Sequence, residues 1–203
     1  LLKDVNEITI YTIPEWTWKK SLGNYYETAK KQFPMLAYET SETLVKVSDY
    51  NKIASLYGQE EYSLEDDEYI VLCDFDSMVD LRNEALKNNN TMEINGKSYH
   101  AKYKECKSGF LSMSTSHTNT GIILLPDSID FKDEWKEQEF LVANYNANTE
   151  EEKLNIDKIF TDEDNSELFK ELSKNNITLD GMTKIVIIES SKGVATIVIF
   201  IAI

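Results

Sequence analysis

The sequence predicts an α+β fold of mixed sheets with interleaved helices, arranged as one domain or as two lobes. Short apolar runs such as Tyr69 to Cys73 and Gly121 to Leu125 read as strands, and they alternate with segments whose apolar residues recur at spacings of three and four. A hairpin signal interrupts any regular strand–helix–strand repeat, which argues against a doubly wound parallel sheet. With only 7 Gly and 3 Pro in 203 residues, tight turns are too few for an all-β sandwich.

The elements follow in order. Val5 to Ile13 alternates loosely and reads as a first strand that Pro14 stops. Gly23 or Asn24 opens a helix over Tyr25 to Phe33, which Pro34 ends. Thr40 to Val47 is rich in β-branched residues and reads as a strand. Ser48 to Gly58 is the clearest helix. Ser48 is placed to cap the first turn, and Asp49 sits at the positive end of the dipole. Tyr50, Ile53, Ala54 and Tyr57 share one face, and Gly58 takes the left-handed stop cheaply. Tyr69 to Cys73 is a buried strand. A helix runs from Asp76 or Ser77 to about Leu86, and Asn88, Asn89 and Asn90 break it.

Met92 to Tyr99 carries Asn95-Gly96, the pair that a two-residue type I′ turn needs, because both central residues take positive φ. The returning strand is expected over Tyr99 to Cys106, with Tyr99, Ala101 and Tyr103 on the apolar face. Ser112 to Thr120 is a polar loop, Gly121 to Leu125 a strand, and Glu139 to Tyr145 another. Thr149 with Glu152 forms a capping box ahead of a helix containing Leu154, Asp157 and Lys158. A last helix starts at Asp164 or Asn165 and a last strand spans Met182 to Glu189.

Composition narrows the function. A hydrophobic fraction of 41% with 11% aromatics belongs to a folded chain with a real core. A net charge of −15 repels phosphate backbones, so nucleic acid is excluded as a partner, while cationic ligands are attracted over long range. Cys73 and Cys106 show no zinc spacing. A disulfide in an exterior compartment and a pair of buried thiols both fit them.

Catalytic signals are missing from the pattern. The sequence has no Gly-rich phosphate loop, no GxSxG, no HExxH and no Cys/His cluster. His100, on the outward face of a strand, and His117, in a polar loop, read as surface or packing residues. Asp162 to Asn165 lacks the Gly and closing Glu of a calcium loop and reads as an acidic helix start. Asp74 and Asp76 read as turn and cap residues. No catalytic residue, metal ligand or cofactor is expected.

Two features are candidate binding surfaces. One is the acidic loop of Glu60, Glu61, Tyr62, Glu65, Asp66, Asp67 and Glu68, whose carboxylates interleave with Tyr62 and Leu64 and suit a cationic amphipathic peptide. The other is Trp16 with Trp18, a membrane-interface anchor or ligand contact if the chain lies beside a bilayer. That setting is expected from the tail. After Lys192 no charged residue follows, and Val194 to Ile203 is about half of the ~20 apolar residues that a helical span requires. Residues 1–192 are therefore read as an exterior domain and 193–203 as the start of a transmembrane helix.

Three stretches together resemble FtsX-like ABC transporter permeases. Val47 to Gly58, followed by Ser63 to Tyr69, is similar to their S-D-Y-N-x-L-A-x-L-x-G … L-x-D-D-E segment. Thr120 to Asp127 resembles their G-I-I-V-V-P-D strand, and Thr183 to Ile203 resembles the return to the membrane. The order is that of the large extracellular domain of bacitracin-export-type permeases, which handle peptide antibiotics in Gram-positive bacteria. The resemblance implies a non-catalytic sensing domain on the extracellular face of the cell membrane. It implies three kinds of partner: a separate ATPase subunit, a sensor histidine kinase, and a cationic peptide antibiotic or its complex with a lipid-linked cell-wall precursor. The alternative reading is an exterior domain that handles lipids or lipoproteins, or recruits a cell-wall hydrolase. The first fifty residues match least, so Trp16 and Trp18 draw no support from the family.

Overall fold

The computed structural model describes residues 1–13, 42–73, 76–111 and 121–161, together with the helical positions Glu27, Lys30 and Lys31. The predicted helix at Tyr25 to Phe33 apart from those three positions, the 112–120 loop, the elements after 161 and the apolar run 193–203 lie outside the described residues.

The fold is α+β, as the sequence predicts. Among the described residues seven strands form one mixed sheet: β1 (Leu2–Tyr11), β2 (Thr43–Lys46), β3 (Glu68–Leu72), β4 (Thr91–Ile94), β5 (Lys97–Ala101), β6 (Ile122–Leu125) and β7 (Lys136–Tyr145). Their spatial order is β4-β5-β3-β6-β2-β1-β7. The helices are α1 (Val47–Tyr57), α2 (Asp76–Asn88) and α3 (Glu150–Thr161), and a 3-10 turn at Asp133–Trp135 precedes β7. The sheet mixes both directions. β2 runs parallel to β6 and β3 parallel to β5, while β3 with β6, β4 with β5 and β1 with β2 are antiparallel.

Two compact units divide the chain. The larger is described over residues 6–13, 42–73, 76–111 and 121–142, and it holds the sheet centre with α1 and α2. Its central strands carry continuous apolar runs, Leu44 with Val45, Tyr69 to Leu72 and Ile122 to Leu125, because both faces are covered. In β3, Tyr69 and Val71 enter one core cluster while Ile70 and Leu72 enter the other. β6 repeats the pattern with Ile123 and Leu125 against Leu124, and β2 with Leu44 against Val45. The first face is closed by Leu86 of α2, the β4–β5 hairpin and Trp135. The second is closed by Val47, Tyr50 and Ala54 of α1 and by Tyr62. Full burial of each such side chain contributes about 1.5–3 kcal/mol. Gly109 is required where the chain crosses this second face, since a Cβ there would overlap the Tyr50 hydroxyl and crowd Leu72.

Local chemistry explains the boundaries, with three corrections to the sequence reading. Asn95 and Gly96 take φ of 53° and 73°, so the expected I′-type turn closes β4 and β5. Gly58 ends α1 in the left-handed conformation and bonds back to Ala54. Ser48, however, does not cap α1. The helix begins one residue earlier, and the Ser48 N–H donates to Asp127 Oδ1 at 3.2 Å. A carboxylate distant in sequence thus sits at the positive helix end. Tyr57 is not part of the buried stripe; it is 39% exposed and tilts against Phe110. The strand expected through Cys106 stops at Ala101. Beyond it the chain keeps only its β3 partner, through Lys102 N–H to the Tyr69 carbonyl, and regains a bridge at Leu72 and Lys107.

The smaller unit is described over residues 1–5 and 143–161. The Asn146 N–H donates to the Leu1 carbonyl at 2.8 Å. The capping box of α3 forms in both directions: Glu152 N–H donates to Thr149 Oγ1 and Thr149 N–H to Glu152 Oε2, each at 3.2 Å.

Candidate functional site

The acidic loop between α1 and β3 is held by side chains that imitate a β-ladder. Asn51 of α1 takes the Tyr62 N–H on Oδ1 at 2.9 Å and donates from Nδ2 to the Tyr62 carbonyl at 2.7 Å. Gln59 does the same for Phe110, accepting its N–H at 2.9 Å and donating to its carbonyl at 3.2 Å. Each amide therefore satisfies both backbone groups of one distant residue. At the far end the Glu65 N–H donates to Glu68 Oε2 at 3.0 Å. Lys102 Nζ reaches the Ser63 carbonyl at 2.8 Å, and Lys97 Nζ reaches that of Asp66 at 2.9 Å.

This scaffold sorts the predicted loop residues into two groups. Glu61, Glu65 and Asp66 point into solvent. Glu60 is exposed but lies 3.2 Å from the Tyr62 hydroxyl. Asp67 pairs with His100 at 3.5 Å, and Glu68 with Lys102 at 3.2 Å. The Glu65 backbone N–H holds the Glu68 carboxyl below the usual glutamate range, and Lys102 adds to the effect. Tyr62 is not a surface contact. It is 5% exposed, stacks on Tyr50 at 5.8 Å, and its hydroxyl also reaches the Ser108 carbonyl at 3.1 Å. Burial, and then Glu60, push its phenol pKa upward, so it remains a donor. Six carboxylates thus face a cationic complement of Lys97 and Lys102, and the loop surface is strongly negative. Trp16, Trp18 and Asp74 lie outside the described residues, as does His117.

A second polar constellation escaped the sequence reading. Arg82, the only arginine in the chain, is 3% exposed, and Glu42 is 0% exposed. Arg82 Nη2 donates to Glu42 Oε1 at 2.9 Å and Oε2 at 3.2 Å. Burial alone would lower the Arg82 pKa, but Glu42 outweighs it and the guanidinium pKa is raised. Gly121 makes the room, since a Cβ there would stand 2.6 Å from the guanidinium. Cys73 and Cys106 adjoin this pair as free thiols, half-buried and close enough to act on each other's ionisation. Cys106 is fixed by its N–H, which donates to Asn83 Oδ1 at 2.7 Å. The signal was present in the sequence. Met78, Arg82 and Leu86 fall on one helix face at spacings of four, and a lone arginine on an apolar stripe demands a buried partner.

Among the described residues no group of three or more His, Cys, Asp or Glu is placed to hold a metal ion, and no helix is long and apolar enough to cross a membrane. No protein-family profile, curated protein or solved structure matches the chain.

Proposed function

We propose that this chain is the exterior, non-catalytic binding domain of an FtsX-like permease of the peptide-antibiotic resistance type, and that the acidic loop receives a cationic peptide segment. The carrying observation is a loop that presents Glu61, Glu65 and Asp66 to solvent from a backbone clamped by Asn51, Gln59, Lys97 and Lys102. A fixed backbone lowers the ordering cost of binding, and clustered carboxylates steer a cation at long range. The resembling segments support the family part of the reading. Two of them are adjacent in space: the helix at 47–57 packs on β6, which lies within the 120–127 stretch. In this reading the domain works with a separate ATPase subunit and a sensor histidine kinase, and its ligand is a peptide antibiotic, free or on a lipid-linked precursor.

Isothermal titration of the 203-residue chain with a cationic amphipathic peptide across a salt series tests this. The affinity is expected to fall about tenfold or more between low and high salt, as screening shortens the reach of exposed charges. Binding that does not weaken with salt contradicts the electrostatic reading.

A further inference from the structure

Cys73 and Cys106 lie on opposite sides of a short backbone ladder. The Lys107 N–H donates to the Val71 carbonyl at 2.9 Å, and the Cys73 N–H donates to the Lys107 carbonyl at 2.9 Å. This places Leu72 opposite Lys107 in a parallel bridge. Cys73 follows Leu72 and Cys106 precedes Lys107, so alternation puts both side chains on the same face as diagonal neighbours, one residue to either side of the bridge. Their thiols are near enough for each to act on the other's ionisation. Both are half-buried, and Lys104, Glu105 and Ser108 beside Cys106 are exposed, so a small reagent has a path.

From this geometry we infer that Cys73 and Cys106 are a modification site, a dithiol that closes to an intramolecular disulfide when it meets a low-molecular-weight disulfide oxidant. The step is a two-stage exchange. One cysteine thiolate attacks the oxidant and expels its first thiol, leaving a mixed disulfide on the protein. The second cysteine thiolate then attacks the protein-side sulfur and expels the other thiol. The protein loses two hydrogens and gains one S–S bond, while the oxidant is reduced to two thiols. The bond ties the end of β3 to the strand-like return after β5, beside the buried Glu42–Arg82 pair. The Cys106 thiol pKa is pushed up, first by the neighbouring Cys73 thiol and then by burial, against the pull of Arg82. The reduced pair is therefore a slow nucleophile, suited to a staple and not to catalysis. The inference is independent of the peptide-binding proposal.

The test equilibrates the 203-residue chain in glutathione redox buffers, native and in urea, traps it with acid and an alkylating reagent, and weighs the products. Expected is a species lighter by two hydrogens without glutathione adducts. Its effective thiol concentration should be at least about tenfold higher in the native chain than in urea, because a native-state staple and native stability are linked. Oxidation should raise Tm by about 5–15 °C. An effective concentration no higher in the native chain than in urea overturns the inference, as does oxidation that yields only glutathione adducts or linked dimers.

Discussion

The acidic loop and the Glu42–Arg82 cluster concentrate charge in opposite ways. Apart from Glu68 the loop's carboxylates face water, and its backbone is fixed by neutral amides and by the ammonium groups of Lys97 and Lys102. The cluster's two charges are sealed from water and hold each other in a bidentate ion pair. In the loop the charges are dispensable for folding and the anchors are not. In the cluster the charges themselves are the structural element. Surface carboxylates gain little from pairing, whereas a buried charge that loses its partner keeps its whole desolvation cost.

The contrast is broken most sharply at the cluster. Glu42→Gln or Arg82→Met alone should each cost about 3–5 kcal/mol in urea denaturation, and joint replacement of both by apolar residues should restore most of the loss. Single costs below about 1 kcal/mol would make the cluster no different from a surface pair. Next in size are the loop anchors. Asn51→Ala removes the partners of both Tyr62 backbone groups and should cost about 1–3 kcal/mol, while Glu61→Gln, Glu65→Gln and Asp66→Asn should each stay within about 0.5 kcal/mol.

The smallest effect separates charge from shape at Glu68. Its folded pKa lies below its unfolded value, so its contribution is fully present above the unfolded pKa and is lost as pH falls through the folded one. Glu68→Gln should therefore lower Tm at neutral pH, and the gap to the wild type should shrink steadily as pH falls below the ordinary glutamate value of about 4.3. A gap that stays constant as pH falls would assign the effect to packing.

Much of the fold was legible because local and long-range signals agree. The runs at Tyr69 to Leu72 and Ile122 to Leu125 are apolar at every position, as strands covered on both faces must be. Asn95-Gly96, Gly58 and Thr149 with Glu152 act within a few residues, where sequence is most informative. What was missed acts across distance. Asp127 caps α1 in place of Ser48, and Lys107 rejoins β3 after the strand has ended. For the candidate site, the acidic run was visible but its sorting was not. Tyr62 looks like a loop aromatic until Asn51 draws its backbone in and Tyr50 its ring. The Met78, Arg82 and Leu86 stripe shows that Arg82 is buried, but the partner Glu42, 40 residues away, has no local signature.

The central claim is that the loop, and not net charge, binds a cationic peptide. The direct measurement compares affinities for one such peptide between the wild-type chain, the triple variant Glu61→Gln, Glu65→Gln, Asp66→Asn, and a control triple at the exposed Glu93, Glu134 and Glu137. Both variants remove the same charge. The account predicts a loss of about tenfold or more for the loop variant and less than about threefold for the control. Equal losses in the two variants would contradict it.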